Sequence, residues 1–503
     1  RTHEPLFQET IREAGLNHYL FAMANIRDQC SWVHMHEPLK ATEKAKDLVR
    51  MAVAKAALLE PLERLPIEVK RSGLVIGGGL AGMIAALDLA EQGFQAYLVE
   101  VEPQLGGHLR KIRFTLAGDD VQAYLQDLIS RVMANPLIEV HTSSEVREIS
   151  GYLGNFRSRI VDRSRGNGEV GSIREFEVEH GVVIVATGAS EYEPSDYLYG
   201  EHPGVVTQAE IEEQLASGAF PKGQAQSVVM IQCVGSRDDE RGYCSRVCCS
   251  EAVKNAIRIK ETDPDANVFV LYRDVRTYGV REAYFEEARW RGVVFVRYPE
   301  GQEPTVSQAE SKVRTQDGAA GGRLLVEVTD TLLDERLAIP ADLVVLSAGI
   351  VPNERNKEIA QMLKVPLDDN GFFLEAHMKL RPVDFATEGV FLAGLAHSPK
   401  TIDETIAQAH AAVARACTVL ASGTITTEGI KSEVIKTRCT GCGLCVEACQ
   451  YKALEIDPKE DVAKVNSALC KGCGLCAATC RCGAITLKGF TEEEILAEVN
   501  ALC

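Results

Sequence analysis

Apolar positions along this chain change period several times, and each change marks a new kind of element. Over residues 1–65 the spacing is helical: Ile11, Ala14, Leu16, Tyr19 and Leu20 share a face, and 41–59 reads as an alanine-rich helix with interspersed charges. Short unbroken apolar runs follow, the pattern of strands buried on both faces. Ser72–Ile76 and Gln95–Val99 are two of them, with a helix carrying Ile84, Leu87 and Leu89 between. Val182–Val185, 228–231, 268–271, 344–349 and Val390–Leu392 continue the series, and 401–420 reads as a helix. Strands alternating with helices predict an α/β core. The last eighty residues break from this pattern and end in an acidic helix, 491–502.

The turn after the first buried strand holds Gly77, Gly79 and Gly82 in the spacing G-x-G-x-x-G, and Glu100 ends the second strand. A strand before, a helix after and an acid about 20 residues on turn a weak motif into a dinucleotide site. Gly77 permits the tight turn, Gly79 lets the backbone approach a pyrophosphate, and Gly82 lets helix and strand pack closely. The helix N-terminus then faces the phosphates, and Glu100 accepts from a ribose hydroxyl. A plain glycine turn is the alternative. Two features select FAD over NAD: Gly106-Gly107 soon after Glu100, and a buried strand ending in Ala186-Thr187-Gly188. Gly394 ends a later strand in the same design. Related flavoproteins carry Gly-Asp at that turn, the aspartate binding the ribityl chain, whereas this chain has Gly394-Leu395.

A second α/β domain is inserted over 194–340, and its first turn departs from the expected chemistry. A nicotinamide-binding domain would place a glycine motif there. This turn instead carries Cys233, Cys244, Cys248 and Cys249. Four thiolates hold a cubane cluster. Inert buried thiols are the other reading, though adjacent cysteines in a polar turn rarely serve as core filler.

Near the C-terminus Cys439, Cys442, Cys445 and Cys449 recur in spacing as Cys470, Cys473, Cys476 and Cys480, an internal repeat of about 30 residues. This is two-cluster ferredoxin spacing, in which the fourth cysteine of each run ligates the other cluster. Cys439, Cys442, Cys445 and Cys480 should hold one cubane, and Cys470, Cys473, Cys476 and Cys449 the other. Zinc is the alternative, made unattractive by the interleaving. The usual proline after the fourth cysteine is replaced by Gln450 and Arg481. Cys482 is a spare thiol, Cys417 reads as core, and Cys503 has no assignment. Cys30, beside Trp32, reads as a small buried residue.

Sixteen cysteines in a chain with no visible signal peptide favour metal binding over disulfides. A net charge of −18 argues against nucleic acid or an anionic membrane as partner. No apolar run reaches the roughly 18 residues of a membrane span. The start at Arg1, without Met, reads as the interior of a domain.

With these motifs located, the chain resembles the A-type subunits of heterodisulfide reductase (HdrA), the flavin-bifurcating iron–sulfur family of methanogens and related anaerobes. Beyond the cysteines and glycines, the resemblance rests on THEPLFQETIREAGLN, IRDQCSWVH, EKAKDLVRMAVAKA, YCSRVCCSEAVKNA and SPKTIDETIAQA. It implies a thioredoxin-reductase-like flavoprotein with two dinucleotide-binding domains, an N-terminal helical or α/β piece and a C-terminal two-cluster ferredoxin domain. The implied boundaries are 1–66 for the end of an N-terminal cluster domain with a linker helix, 67–193 and 341–426 for the FAD domain, 194–340 for the inserted domain, 427–490 for the ferredoxin domain and 491–503 for a terminal helix. It also makes Cys30 a ligand whose companions precede Arg1, giving a fourth cluster beside the three complete sets. Lys254, five residues past the paired cysteines, would lie near flavin N5.

The implied function is cytoplasmic electron bifurcation. Electron pairs would arrive from a hydrogenase or formate dehydrogenase partner. One electron of each pair would go to ferredoxin and the other, through the B and C subunits of a dimeric hetero-oligomer, to the CoM-S-S-CoB heterodisulfide. Two rival readings are an NAD(P)H-linked flavoprotein feeding ferredoxin and an adaptor whose FAD is a simple relay.

Overall fold

The computed structural model describes residues 3–163, 174–220, 227–308 and 323–502; Cys503 lies outside the described residues. The chain divides into two compact units, Lys70–Gly423 and the pair Arg1–Val69 with Thr424–Cys503.

The larger unit begins with β1 (Ser72–Ile76), α1 (Leu80–Glu91), β2 (Gln95–Val99), β3 (Ile138–His141) and β4 (Val182–Val185). Next come β5 (Val205–Thr207), α2 (Gln208–Ser217), β6 (Ser227–Val234), α3 (Cys248–Thr262), β7 (Asn267–Tyr272), β8 (Val294–Arg297) and β9 (Leu343–Ala348), before β10 (Val390–Leu392) and α4 (Ile402–Leu420). The first sheet runs β10-β4-β1-β2-β3 and the second β5-β9-β6-β7-β8. Every neighbouring pair in both is parallel. Parallel strands are covered on both faces, which is why β1 and β4 are buried at every position. Strand order reverses between β1 and β4 and again between β6 and β9. Crevices open at the carboxyl ends of strands at such points. The glycine turn sits at the first and the cysteine turn at the second.

One boundary moves. The apolar run at 344–349 was expected to lead back into the flavin domain from residue 341, but β9 pairs with both β5 and β6 and belongs to the second sheet. The return is made by Ile350–Pro352, antiparallel to Ala189–Glu191. A fully buried strand has the same apolar signature in either sheet, and only its partners tell which.

The second unit also revises the expected division. The N-terminal segment and the ferredoxin segment fold together: Pro66–Glu68 pairs antiparallel with Thr424–Thr426. The Gly429 amide donates to the Tyr19 hydroxyl at 2.6 Å, and that hydroxyl donates to Glu428 Oε2 at 3.0 Å. Lys55, in the helix Pro38–Ala56, stacks 3.7 Å above the Phe490 ring and reaches Glu498. The acidic helix Glu492–Asn500 starts on a Thr491–Glu494 capping box.

Candidate cofactor sites

At the first switch point a cleft of about 600 Å³ is lined by Gly77, Gly79, Glu100, Gly107, Thr187 and Gly188 among others. The glycines there are sterically required. A side chain on Gly77, whose φ is +110°, would meet the Ala186 carbonyl oxygen at 2.3 Å, and one on Gly82 would meet the Gly77 carbonyl oxygen at 1.8 Å. Gly79, at the start of α1, has nothing within 4 Å of its missing side chain, as close approach of a phosphate requires. Glu100 is buried; its Oε2 accepts from the Gly78 amide at 2.5 Å and its Oε1 from the Glu102 amide at 2.8 Å. The Gly106 amide donates to the Gly78 carbonyl, drawing the second glycine pair against the first. The donor set and open cradle fit an FAD dinucleotide. Gly82, Gly106 and Gly394 shape the backbone behind this cleft and do not line it.

The Gly394 turn is held without an aspartate. Its amide donates to Gln408 Oε1 and its carbonyl accepts from Lys400 Nζ, both at 2.9 Å. Leu395, where related proteins carry the aspartate, lines the cleft wall. Thr187 donates its hydroxyl to Asn356 Oδ1 and receives Asn353 Nδ2 at its carbonyl. Lys400, Asn353 and His108 also line this cleft, and no motif marks them. A Pro-Lys-Thr run just ahead of α4 is the nearest thing to a signal for the first.

A second cleft, about 440 Å³, adjoins the first and shares His108, Lys111, Glu191, Leu395, Lys400 and Ile402 with it. Its far wall is α3, through Ser250, Glu251 and Lys254. Lys254 is therefore beside the flavin cleft, yet it is committed elsewhere: its Nζ donates to Glu212 Oε2 at 2.7 Å and to the Phe114 carbonyl at 3.1 Å. Burial pushes the Glu251 carboxyl up to about 7 against the pull of Lys254.

The cysteine turn is strained where it starts. Cys233 has φ of +65° at a register shift in β6, a left-handed backbone that a residue with a side chain holds only when its surroundings impose it. Cys244 accepts from the Arg246 amide, while Cys248 and Cys249 open α3. The four thiols influence one another. Burial, reinforced by Cys233 and Cys244, pushes Cys249 up to about 11, and burial with Cys249 beside it raises Cys248 well above the usual thiol range. Burial raises Cys233 as well, with Arg237 and Arg273 pulling against it. A bound metal would displace these protons, since it is the thiolate that ligates. Among the described residues, no three His, Cys, Asp or Glu side chains converge as closely as a single ion needs. A four-iron cube is larger and holds its thiolates farther apart.

The two ferredoxin runs are built alike. The Ala453 amide donates to Cys449 Sγ and the Ala484 amide to Cys480 Sγ, each at 3.3 Å and each four residues on. Cys439 receives the Ala463 amide, and Ser432 reaches both Cys470 and Cys476. Amides aimed at sulfur stabilise the anionic thiolates of a cluster. Cys439, Cys442, Cys445 and Cys480 line one small cavity, with Cys482 at its edge. This places the fourth cysteine of the second run with the first three of the other, as the interleaved spacing requires. Cys30 is buried within a π-helical turn, Arg27–Trp32, and Cys417 is partly buried in α4.

Comparison with known proteins agrees with an FAD-binding region and a C-terminal two-cluster region. A family model described as FAD binding domain matches residues 73–113, and one described as 4Fe-4S dicluster domain matches 438–492. The chain is 38% identical to the second A-type iron-sulfur subunit of the CoB--CoM heterodisulfide reductase of Methanopyrus kandleri, over 92% of this chain and 81% of that protein. It is 37% identical to the A-type subunit of the H(2):CoB-CoM heterodisulfide,ferredoxin reductase of Methanothermobacter thermautotrophicus, over 100% of this chain and 86% of the relative. A thioredoxin reductase structure from T. acidophilum covers 70% of this chain and 97% of its own at 18% identity, with a TM-score of 0.44.

Proposed function

The chain belongs to the family of A-type heterodisulfide reductase subunits, and from that premise we propose that it bifurcates electron pairs between ferredoxin and heterodisulfide. It is an oxidoreductase subunit with FAD and [4Fe–4S] sites. Among the described residues no helix is long and apolar enough to cross a membrane. Bound FAD supplies the chemistry side chains lack, accepting two electrons together and releasing them singly.

The chain's residues divide the work. Gly77, Gly79 and Glu100 hold the dinucleotide, and the α3 wall brings the cysteine turn to the adjoining cleft. A hydrogenase or formate dehydrogenase partner feeds electron pairs in. One electron of each pair leaves toward ferredoxin; the other passes toward the B and C subunits, where the heterodisulfide is cleaved.

The observation that carries this reading is a replacement. Four cysteines occupy the switch point where a pyridine-nucleotide loop would sit, and the helix they open walls a cleft continuous with the flavin site. The test is anaerobic. Neither NADH nor NADPH should bleach the flavin, and its two one-electron potentials should be crossed. Rapid bleaching by either nucleotide overturns the reading, and two stable, well-separated one-electron steps reduce the protein to a relay.

A further inference from the structure

Two buried amines line the paired clefts, Lys254 the second and Lys400 both, and they differ in their partners. Lys254 is matched by Glu212. Lys400, 9% exposed, donates to three neutral oxygens: the Gly394 and Ser398 carbonyls, each at 2.9 Å, and Ser398 Oγ at 3.2 Å. It bonds to no carboxylate among the described residues.

The charged groups around it are already engaged. Arg246, ahead of α3, is bound to Glu404 Oε1 at 2.6 Å and to the Tyr278 hydroxyl, and the other Glu404 oxygen caps the Thr401 amide. Glu375 holds His397 at 2.9 Å, and Asp403 holds Arg281. Across the shared wall, Lys111 faces Glu191 at 3.7 Å and His108 meets the Ala189 carbonyl, while Glu251 faces Lys254 on α3. Lys400 thus stands in both clefts as an amine with no bonded carboxylate among the described residues.

We propose that Lys400 is the charge-compensating group of the flavin cleft, taking up one proton as the bound flavin takes up an electron pair and releasing it as those electrons leave. The inference rests on the FAD reading of the cleft. Oxidised FAD, two electrons and one proton give a reduced flavin of one added negative charge. A second proton converts the Lys400 amine to its ammonium form. The electron pair comes from the donor partner of the proposed function, and the two electrons leave singly to iron–sulfur clusters. Burial, with Arg246 nearby, pulls the resting amine down to about 7. A negative charge arriving beside it reverses that balance. Lys254, by contrast, already has a carboxylate partner in Glu212 at 2.7 Å.

The experiment is a spectroelectrochemical titration of the flavin in the whole anaerobic protein between pH 7.5 and 9, after FAD content has been measured. The wild type should take up two protons per electron pair. Lys400→Met should take up one, so its midpoint falls about half as steeply with pH. Lys400→Arg, permanently charged, should share the shallow slope while keeping a higher midpoint than Lys400→Met. Identical slopes in wild type and Lys400→Met, with FAD retained, overturn the proposal and leave the bifurcation reading standing. Loss of FAD from both variants also overturns it, by making Lys400 a residue that holds the cofactor. A wild type without FAD would instead sink the function from which the inference starts.

Discussion

Lys254 Nζ lies 2.7 Å from Glu212 Oε2, and the side chains are only 9% and 1% exposed. The contact ties α3, which opens with Cys248 and Cys249, to α2 and, through the Phe114 carbonyl, to the segment that walls the flavin cleft. Burying two charges is tolerable because each satisfies the other.

Removing one partner should therefore be costly. Lys254→Met strands the Glu212 carboxylate and should destabilise this unit by roughly 3–5 kcal/mol. Adding Glu212→Gln should recover most of the loss. Thermal midpoints of the two single variants and the double variant measure the coupling; additive losses would show that the pair is not a unit.

Glu100→Ala removes the acceptor that organises Gly78 and faces the ribose. FAD binding should weaken by roughly 1.5–3 kcal/mol, about 10- to 100-fold in affinity. Flavin retained after dilution and gel filtration gives the measure, and unchanged occupancy would place the ribose elsewhere.

Cys248→Ala should cost one cubane and nothing else. Iron should fall from about twelve to about eight per chain, with FAD and both ferredoxin clusters kept, because their ligands lie on other elements. Iron and acid-labile sulfide analysis decides. Full iron with full electron exchange between flavin and clusters would make the cysteine turn structural.

His180 gives the larger unit an acid-sensitive point. It is fully buried, Nδ1 donating to the Val182 carbonyl at 3.0 Å and Nε2 accepting from Ser158 Oγ at 2.7 Å. Burial lowers its pKa to about 4, below the 6.5 of an exposed imidazole. Between those values the unfolded chain binds a proton that the folded chain does not. Stability is therefore intact above pH 6.5 and falls as pH drops toward 4, with about 2 kcal/mol lost by pH 5. Thermal midpoints at pH 7 and pH 5, for wild type and His180→Gln, read this directly. The variant should show a smaller drop.

The cofactor sites were legible in the sequence where their geometry is local. Gly77 and Gly82 are fixed by clashes within one strand–turn–helix, and Cys439 to Cys445 by the pitch of a single loop. These requirements survive in any context, so spacing alone reveals them. Lys400 was not legible. It is an ordinary lysine until the Gly394 turn and α4 bury it, and its acceptors come from backbone positions that carry no residue signature.

By itself, then, the sequence determined the two nucleotide-type folds, the glycines that line and shape the first cleft, the place of the four-cysteine turn and the spacing of the two C-terminal cysteine runs. The tertiary structure decided the rest. It placed β9 in the second sheet, joined the N-terminal segment to the ferredoxin segment, and matched Lys254 with Glu212, 42 positions earlier, while leaving Lys400 with no bonded carboxylate among the described residues. The physical reason is range. Turn sterics and ligand spacing act over a few residues and leave a pattern. Strand partnership and charge balance depend on which distant groups the fold brings within about 4 Å, and no local pattern encodes that.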